Sequence, residues 1–274
     1  MLTVTRILRK ADLRSFSGQF VQLQQVNEHV AEIILTRPEK LNAVTLSMAK
    51  EISFACSQLQ DDESTRAVIV RGEGRAFCSG RDLKLSLGHS DEEAEEYLNT
   101  ALSAVLSVFN LPMPVIAAMH GSALGLGLEL ALACDFRIAS HDCQLGFPET
   151  KLGIFPGAGG SFLLPLVLGS PSKALEWVLL ADKYSGKQAH EAGVVNWLAE
   201  DPNIEAVAIA NKLAANGPLG VRAAKRVIRH GIHSVLDVWK DQAVKERLEL
   251  AKSADYHEAL KAFSEKRIPI FTGK

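Results

Sequence analysis

The segment that decides the fold runs from Gly121 to Cys134 and reads GSALGLGLELALAC. Before its terminal thiol it contains one ionisable side chain, Glu129, which lies between Leu128 and Leu130. A helix that is apolar on every side is buried, so this segment predicts a buried helix. Burying a lone carboxylate costs several kcal/mol unless it is paired, hydrogen-bonded or protonated. Glu129 is therefore either a structural acid held by an arginine or a backbone amide, or a functional acid with a perturbed pKa.

Two glycines, Gly125 and Gly127, stand just before this glutamate. Glycine lets the backbone come close to a ligand, and the free amides at a helix N-terminus favour developing negative charge. Tight helix packing is the alternative explanation, and the residues alone leave both open.

A second acid, Glu149, follows Phe147 and Pro148 and precedes the glycine-rich loop Gly153–Gly160. A glutamate after proline is commonly a turn residue or a helix cap, so a structural role stays open beside a catalytic one. The loop has neither the Lys-Ser/Thr ending of a P-loop nor the G-x-G-x-x-G spacing of a dinucleotide site. A phosphate-binding function is therefore not predicted for it.

Composition restricts the class of protein. The 274 residues are 47% hydrophobic and 23% charged with a net charge of -2, as in an ordinary globular protein without an overall pull toward nucleic acid or membrane.

Cys78 and Ser79 lack the G-x-S-x-G context of a nucleophile elbow. The four cysteines show no CxxC spacing and no matching histidine pattern, so we expect reduced thiols and no metal site. They are Cys56, Cys78, Cys134 and Cys143.

The N-terminal 16 residues are basic, with four Lys or Arg side chains against Asp12 alone among acids. A mitochondrial transit peptide has this charge, but it is usually serine-rich and free of acids. We expect a cytoplasmic protein with a short basic leader, and a mitochondrial matrix location is the alternative. No apolar run approaches the ~20 residues that span a bilayer, so no membrane association is expected.

Periodicity divides the chain into an N-terminal leader (1–18), an α/β core (19–200) and a helical C-terminal region (201–274). Apolar spacing predicts helices that begin near Thr45 and Ser90, and a wholly helical pattern from Ser172 onward. β-Branched runs bounded by turn residues predict the strands. They are Phe20–Val26, Val30–Thr36, Arg66–Arg71, Val115–Met119, Phe136–Ala139 and Gln144–Phe147.

Several segments, taken in order over residues 20–267, resemble the crotonase (enoyl-CoA hydratase/isomerase) superfamily. No single segment is decisive, but their order is specific. They are Arg37–Ala43, Ala76–Leu83, Pro114–Ala118, Ala123–Leu130, Cys134–Asp135, Phe147–Gly153, Pro156–Gly160 and Ala262–Arg267.

This resemblance implies an α/β fold, a crotonase-like spiral of ββα units with a C-terminal helical trimerisation region. It also implies a homotrimer or a dimer of trimers, and a coenzyme A thioester as substrate. No separate cofactor is implied, because coenzyme A is part of the substrate. No metal is implied either. The implied activity is that of an enoyl-CoA hydratase.

The resemblance also assigns site residues. Glu129 and Glu149 correspond to the two hydratase glutamates, and the backbone N–H groups of Arg81 and Leu126 to the oxyanion hole. The family usually has glycine at the position of Leu126 and often alanine at that of Arg81, which implies a narrower acyl pocket and contact with a polar or acidic acyl group. Residues implied to bind coenzyme A or substrate are Lys40, Asn42, Ala43, Ala76, Ser79, Gly80, Asp82, Leu83, Lys84, Gly125, Phe263 and Lys266.

Other functions stay open at this point. An enoyl-CoA isomerase often keeps only one of the two glutamates, and a dienoyl-CoA isomerase has an aspartate where Gly157 stands here. Hydrolases, decarboxylases and a catalytically silent acyl-CoA binder share the fold.

RNA binding is known in one branch of the superfamily. We expect no nucleic-acid partner here, and we expect the four basic side chains on one predicted helix face to be solvated. They are Arg222, Lys225, Arg226 and Arg229.

Overall fold

The computed structural model describes residues 15–87 and 90–274, and it has the expected α/β organisation. A seven-stranded sheet has the order β1-β2-β3-β4-β5-β7-β10, and a small sheet has the order β6-β8-β9. The strands are β1 (Phe16–Ser17), β2 (Val21–Asn27), β3 (Val30–Leu35), β4 (Ala67–Gly72), β5 (Val115–Met119), β6 (Ser122–Leu124), β7 (Phe136–Ala139), β8 (Gln144–Gly146), β9 (Tyr184–Ser185) and β10 (Trp197–Leu198).

Ten helices and two 3-10 turns are present in the described residues. The helices are α1 (Leu46–Gln60), α2 (Leu83–Ser86), α3 (Asp91–Phe109), α4 (Leu126–Ala133), α5 (Gly160–Leu168), α6 (Pro171–Leu179), α7 (Gly186–Glu191), α8 (Pro202–Ala214), α9 (Pro218–Ala251) and α10 (Ala254–Glu265). The 3-10 turns are Pro38–Lys40 and Glu149–Leu152.

The large sheet is covered on both faces. Strands β3, β4, β5, β7 and β10 pair in parallel, and such sheets are normally buried on both sides. Alternate residues of β4 point to opposite faces, so Val68 and Val70 join the main core with α1, α3 and α4. Ala67 and Ile69 join a smaller core against α8.

The predicted helix starts at Thr45 and Ser90 are confirmed. The Thr45 hydroxyl accepts a hydrogen bond of 3.1 Å from the amide of Met48. Ser90 and Glu93 form a reciprocal capping box at the start of α3. Such caps satisfy amides that have no partner inside the helix.

The pattern after Ser172 is not wholly helical, because the two-residue strands β9 and β10 lie within it. Strands this short carry too few residues to produce a period of two. The leader predicted over residues 1–18 overlaps β1 at its end, where Phe16 packs against Phe54. Residues 1–14 of that leader lie outside the described part of the chain.

The prediction of a solvated basic face on α9 is wrong for three of its four cations. Lys225 and Arg229 pair with Asp135 at 2.6 and 2.8 Å, with only 10% and 11% of their side chains exposed. Arg222 donates to backbone carbonyls in the turn that follows α1. These side chains tie α9 to the core, so they form no free cationic strip for a polyanion.

The helices of residues 15–87 and 90–274 include none that combines the length and apolar character needed to cross a bilayer.

Candidate active site

A cleft of about 780 Å³, measured out to its opening, lies beside the N-terminus of α4. Its walls come from the loop after β4, the first turn of α4, the 3-10 turn at Glu149, and helices α3, α9 and α10. Eight residues singled out from the sequence line it together. They are Ser79, Gly80, Arg81, Leu83, Gly125, Leu126, Glu129 and Glu149.

Glu129 is the buried carboxyl of α4, with 3% of the residue exposed. Its Oε1 accepts hydrogen bonds of 2.8 Å from the backbone amides of Ala158 and Gly160. Burial raises the pKa of Glu129 to about 7, against the lowering effect of these two amides and of the Arg247 charge. The glycine-rich loop Gly153–Gly160, which lacks the spacing of a phosphate-binding loop, thus donates to a carboxylate of the protein itself.

Glu149 begins a 3-10 turn and faces the same cleft with 8% of the residue exposed. Its Oε2 is buried and has no hydrogen-bond partner among the described residues. Burial, followed by the charge of Glu129, raises the pKa of Glu149 well above its usual value of 4.5. Burial therefore opposes ionisation of both carboxyls, and the charge of one further opposes ionisation of the other.

Glycine is needed where α4 begins. Gly125 has φ +51°, and a Cβ there would lie 2.6 Å from Oε1 of Glu149. A Cβ on Gly127 would lie 2.3 Å from the carbonyl oxygen of Cys78. Close packing within the protein therefore accounts for both glycines, and the approach of Gly125 to a ligand stays a prediction.

The loop after β4 and the start of α4 bring two backbone amides to the cleft. The Gly80 carbonyl and the Asp82 amide bond to Val44, so in this extended pairing the Arg81 amide points the other way. Leu126 is the first residue of α4, where amides have no partner inside the helix. A Cβ on Gly80 would lie 3.6 Å from the Leu126 nitrogen, which places the two segments side by side.

Several predicted ligand residues lie outside the cleft walls. Asn42 is fully buried, and its side chain bonds to the backbone of Arg37, Glu73 and Ala76. Asp82 caps α2 and pairs with Arg37 at 2.7 Å. These two side chains shape the loops on which the cleft depends. Lys40, Ala43, Ala76, Lys84, Phe263 and Lys266 are likewise absent from the lining.

Three polar residues of the cleft, Tyr97, Arg247 and Tyr256, were not predicted as site residues from the sequence. The cleft contains the guanidinium of Arg81 stacked 4.3 Å from the centre of the Tyr97 ring and bonded to the Tyr256 hydroxyl at 2.8 Å. No local signal marks these residues, because each belongs to an ordinary amphipathic helix.

Within the described part of the chain, no three His, Cys, Asp or Glu side chains are grouped so as to hold a metal ion. The four cysteines are buried and unpaired, and burial raises the pKa of the Cys78 thiol to about 12. A thiolate nucleophile at this site is therefore disfavoured at neutral pH.

The family model described as Enoyl-CoA hydratase/isomerase matches residues 25–274. The chain belongs to this family. Among its relatives is the enoyl-CoA isomerase/hydratase fer4 of Mycosarcoma maydis, 38% identical over 89% of this chain and 93% of the relative. The human protein named methylglutaconyl-CoA hydratase, mitochondrial, is 33% identical over 92% of this chain and 76% of its own length.

A solved structure of an enoyl-CoA hydratase from Bacillus anthracis has the same fold. It is 38% identical with a TM-score of 0.76, and the match covers 93% of this chain and 100% of the other. The crotonase fold predicted from the sequence is therefore confirmed, including the presence of the C-terminal helices. Enoyl-CoA hydratases and isomerases share this family and process coenzyme A thioesters, so an acyl-CoA substrate follows for this member.

Proposed function

We propose that the protein is an enoyl-CoA hydratase, which adds water to a trans-2-enoyl-CoA and yields a 3-hydroxyacyl-CoA. The observation that supports this most is the pair Glu129 and Glu149, two buried carboxyls with raised pKa values facing one cleft. Hydration needs one group to accept a proton and another to donate one, and pairs with separated pKa values suit that division.

The thioester oxygen gains negative charge as the nucleophile attacks. The amides of Arg81 and Leu126 would donate to this oxygen from fixed positions on the loop after β4 and the first turn of α4. Fixed donors of this kind need no reorganisation during the reaction, and losing one typically costs about 2.7–4 kcal/mol.

Proton transfer is shared by the two glutamates. Glu129 is favoured as the ionised member because two amides donate to it, and Glu149 as the protonated member because its Oε2 has no described partner. Glu129 would hold the water and take its proton as the oxygen attacks C3. Glu149, the principal acid/base, would deliver its proton to C2, so the product gains the elements of one water molecule.

Binding of the coenzyme A nucleotide is assigned to the end of α10. Phe263 is 44% exposed, and Lys266 follows at the end of the same helix. An exposed ring can cover adenine, and an ammonium group can pair with a phosphate. Neither residue lines the cleft, so this assignment rests on the resemblance of Ala262–Arg267 to the family and on the chemistry of the two side chains.

A homotrimer or dimer of trimers is part of the proposal. Apolar side chains of α9 are exposed by 57–81%, an amount that a partner subunit would cover. They are Leu219, Val227, Ile228, Val235 and Val238. We place the protein in the cytoplasm, with the mitochondrial matrix as the alternative in view of the human relative's name.

An isomerase is the second candidate, because relatives carry both activities in their names. Isomerisation moves a proton between carbons and needs no water. A dienoyl-CoA isomerase is disfavoured, because the side chain of Arg247 occupies the space beside Gly157 where its aspartate would project.

The deciding experiment offers the purified protein trans-2-enoyl-CoAs and trans-3-enoyl-CoAs and follows the enoyl-thioester absorbance. Hydration should consume the first set, and Glu149→Gln should slow it by about two to four orders of magnitude with little change in thioester binding. Glu191→Gln, at an exposed carboxyl that is not part of the cleft lining, is the matched control and should keep full activity. Near-normal turnover of Glu149→Gln, or isomerisation without hydration, would reject the proposal.

A further inference from the structure

The cleft contains two buried guanidinium groups whose hydrogen-bonding capacity is only partly used. Arg81 donates through Nη1 to the Tyr256 hydroxyl, but its Nε and Nη2 are buried without a partner among the described residues. The Tyr97 ring covers one side of this guanidinium, with its centre 4.3 Å from Cζ. The group is therefore held in one orientation while two of its nitrogens are free to donate.

Arg247 supplies a second such group from α9. Its Nε and Nη1 donate to the carbonyls of Ala243 and Leu98, and its Nη2 is buried without a described partner. A Cβ on Gly157 would lie 2.2 Å from Cδ of Arg247, so the missing side chain at that position is what makes room for the arginine. Only 5% of Arg247 is exposed.

Unpaired donors of this kind are expensive inside a protein, and native structures almost always satisfy them. The two glutamates of the cleft do not do so here. Glu129 Oε1 accepts from the amides of Ala158 and Gly160, and Glu149 Oε2 has no described partner at all. The unfilled donors therefore point to an acceptor that arrives with the ligand.

The charge of the cleft favours an anion. Arg81, Arg247, Glu129 and Glu149 are the ionisable groups of its lining other than tyrosines. The guanidinium groups stay protonated, whereas burial raises the pKa of both glutamates and so favours their neutral forms. Two permanently charged cations thus face two carboxyls whose ionisation is opposed by burial, so the lining favours an anionic ligand. The planar guanidinium matches a carboxylate better than any other common anion on an acyl chain.

We infer that the substrate is a 2-enoyl-CoA whose acyl chain ends in a carboxylate, bound by Arg81 and Arg247. This inference rests on the proposed hydratase function and names its substrate class, the monothioesters of unsaturated dicarboxylic acids. Arg81 then has two roles. Its backbone amide faces the thioester oxygen, and its side chain binds the carboxylate at the far end of the acyl chain. One side chain bridges the two ends only if the acyl chain is short.

The test compares two thioesters that differ at one terminal group. Glutaconyl-CoA and trans-2-pentenoyl-CoA have the same enoyl unit and chain length, with a carboxylate in the first where the second has a methyl group. In the unaltered protein, kcat/KM should favour glutaconyl-CoA by about a hundredfold or more, as expected when buried donors are left unpaired by the neutral analogue. Arg81→Met and Arg247→Met should each reduce the ratio to below about tenfold.

Arg226→Met is the matched control, because that arginine is exposed on the same helix as Arg247 and should keep the ratio intact. A ratio near one in the unaltered protein would overturn the inference, and so would a high ratio that survives both substitutions. Binding of glutaryl-CoA against pentanoyl-CoA, measured by calorimetry, gives the same comparison without turnover. Failure of hydration with every enoyl-CoA would reject the proposed function, whereas equal binding of these saturated thioesters would reject only the carboxylate site.

Discussion

The backbone amide of Gly160 donates a 2.8 Å hydrogen bond to Oε1 of Glu129, although the two residues are 31 positions apart. The amide of Ala158 donates to the same oxygen. These bonds favour the ionised form of Glu129 and oppose the effect of burial, which raises its pKa. No such donor reaches Oε2 of Glu149 from the described residues. The glycine-rich loop therefore donates to one carboxyl of the pair, which supports the proposed division into a base, Glu129, and an acid, Glu149.

Gly160→Ala tests this role of the loop. The new Cβ would lie 2.8 Å from the Phe147 ring, 2.9 Å from Cβ of Pro156 and 3.0 Å from Cγ of Glu129, so these side chains must shift. We expect the Glu129 carboxylate to lose contact with its donors as a result. Because the amides lower the pKa of Glu129, their loss raises that pKa above about 7. The acid-side limb of the kcat/KM profile should therefore shift to higher pH, with activity at pH 7 reduced about tenfold and partly regained near pH 9.

Gly217→Ala is the control for this experiment, since a Cβ there meets no atom within 4 Å. It should leave the pH profile in place. An acid limb that stays in position in Gly160→Ala would show that the loop does not set the protonation of Glu129.

Leu126→Pro tests the oxyanion amide without the usual disruption by proline. Leu126 is the first residue of α4, and proline is tolerated there because the lost N–H has no partner inside the helix. We expect kcat to fall by about 10²–10³ relative to Leu126→Gly, while both variants lose thermal stability because each removes the buried leucine side chain. Leu126→Gly, which keeps the amide, should stay within about tenfold of the unaltered protein. Equal losses in the two variants would mean that the side chain, not the N–H, is what matters.

Much of the fold was predictable because its signals are local. The cap at Thr45 and the all-apolar surroundings of Glu129 are properties of a few neighbouring residues. The surroundings of the basic residues on α9 could not be predicted from such local signals. Whether Lys225 meets water or the buried side of Asp135 depends on where α9 packs, and the sequence of the helix does not contain that information.

Glu129, Glu149 and Arg81 were predicted from the sequence and line one cleft, whereas Arg247 was missed. An acid in an apolar segment is conspicuous in the sequence, whereas Arg247 stands among the many charges of α9. Its partner carbonyl at Leu98 is 149 positions away, so only the folded chain brings it to the cleft. The expectation that Arg81 would meet a polar or acidic acyl group stays a prediction, supported by two free donors.

Glu149→Gln should stabilise the protein while it abolishes catalysis. The folded-state pKa of Glu149 lies well above the ordinary value of 4.5, so the folded state binds this proton more tightly than the unfolded state. Stability conferred by the protonated carboxyl is therefore present at pH 4–5 and is lost as the pH rises toward the folded-state pKa. At pH 7–8 the variant should be more stable by about 1–3 kcal/mol, a rise of several degrees in Tm.

The stability difference should shrink as the pH falls toward 4.5, where the carboxyl is protonated in the folded state and about half protonated in the unfolded state. Thermal unfolding of both proteins between pH 4.5 and 8 measures it. A difference independent of pH would show that the substitution acts through packing and not through the ionisation of Glu149.

Lys266 gives a test of where the nucleotide binds. It ends α10 with φ +55°, a backbone conformation that asparagine adopts more readily than alanine, so Lys266→Asn removes the charge with the least strain. Its contact with a phosphate would be the same in the ground state and the transition state, so KM should rise about tenfold while kcat changes little. Lys261→Asn, an exposed lysine in the same helix, is the control. With a substrate truncated to its pantetheine arm the defect should disappear, because no nucleotide remains to be held. An equal rise in KM for the full and truncated thioesters would place Lys266 away from the nucleotide and assign its effect to the helix end.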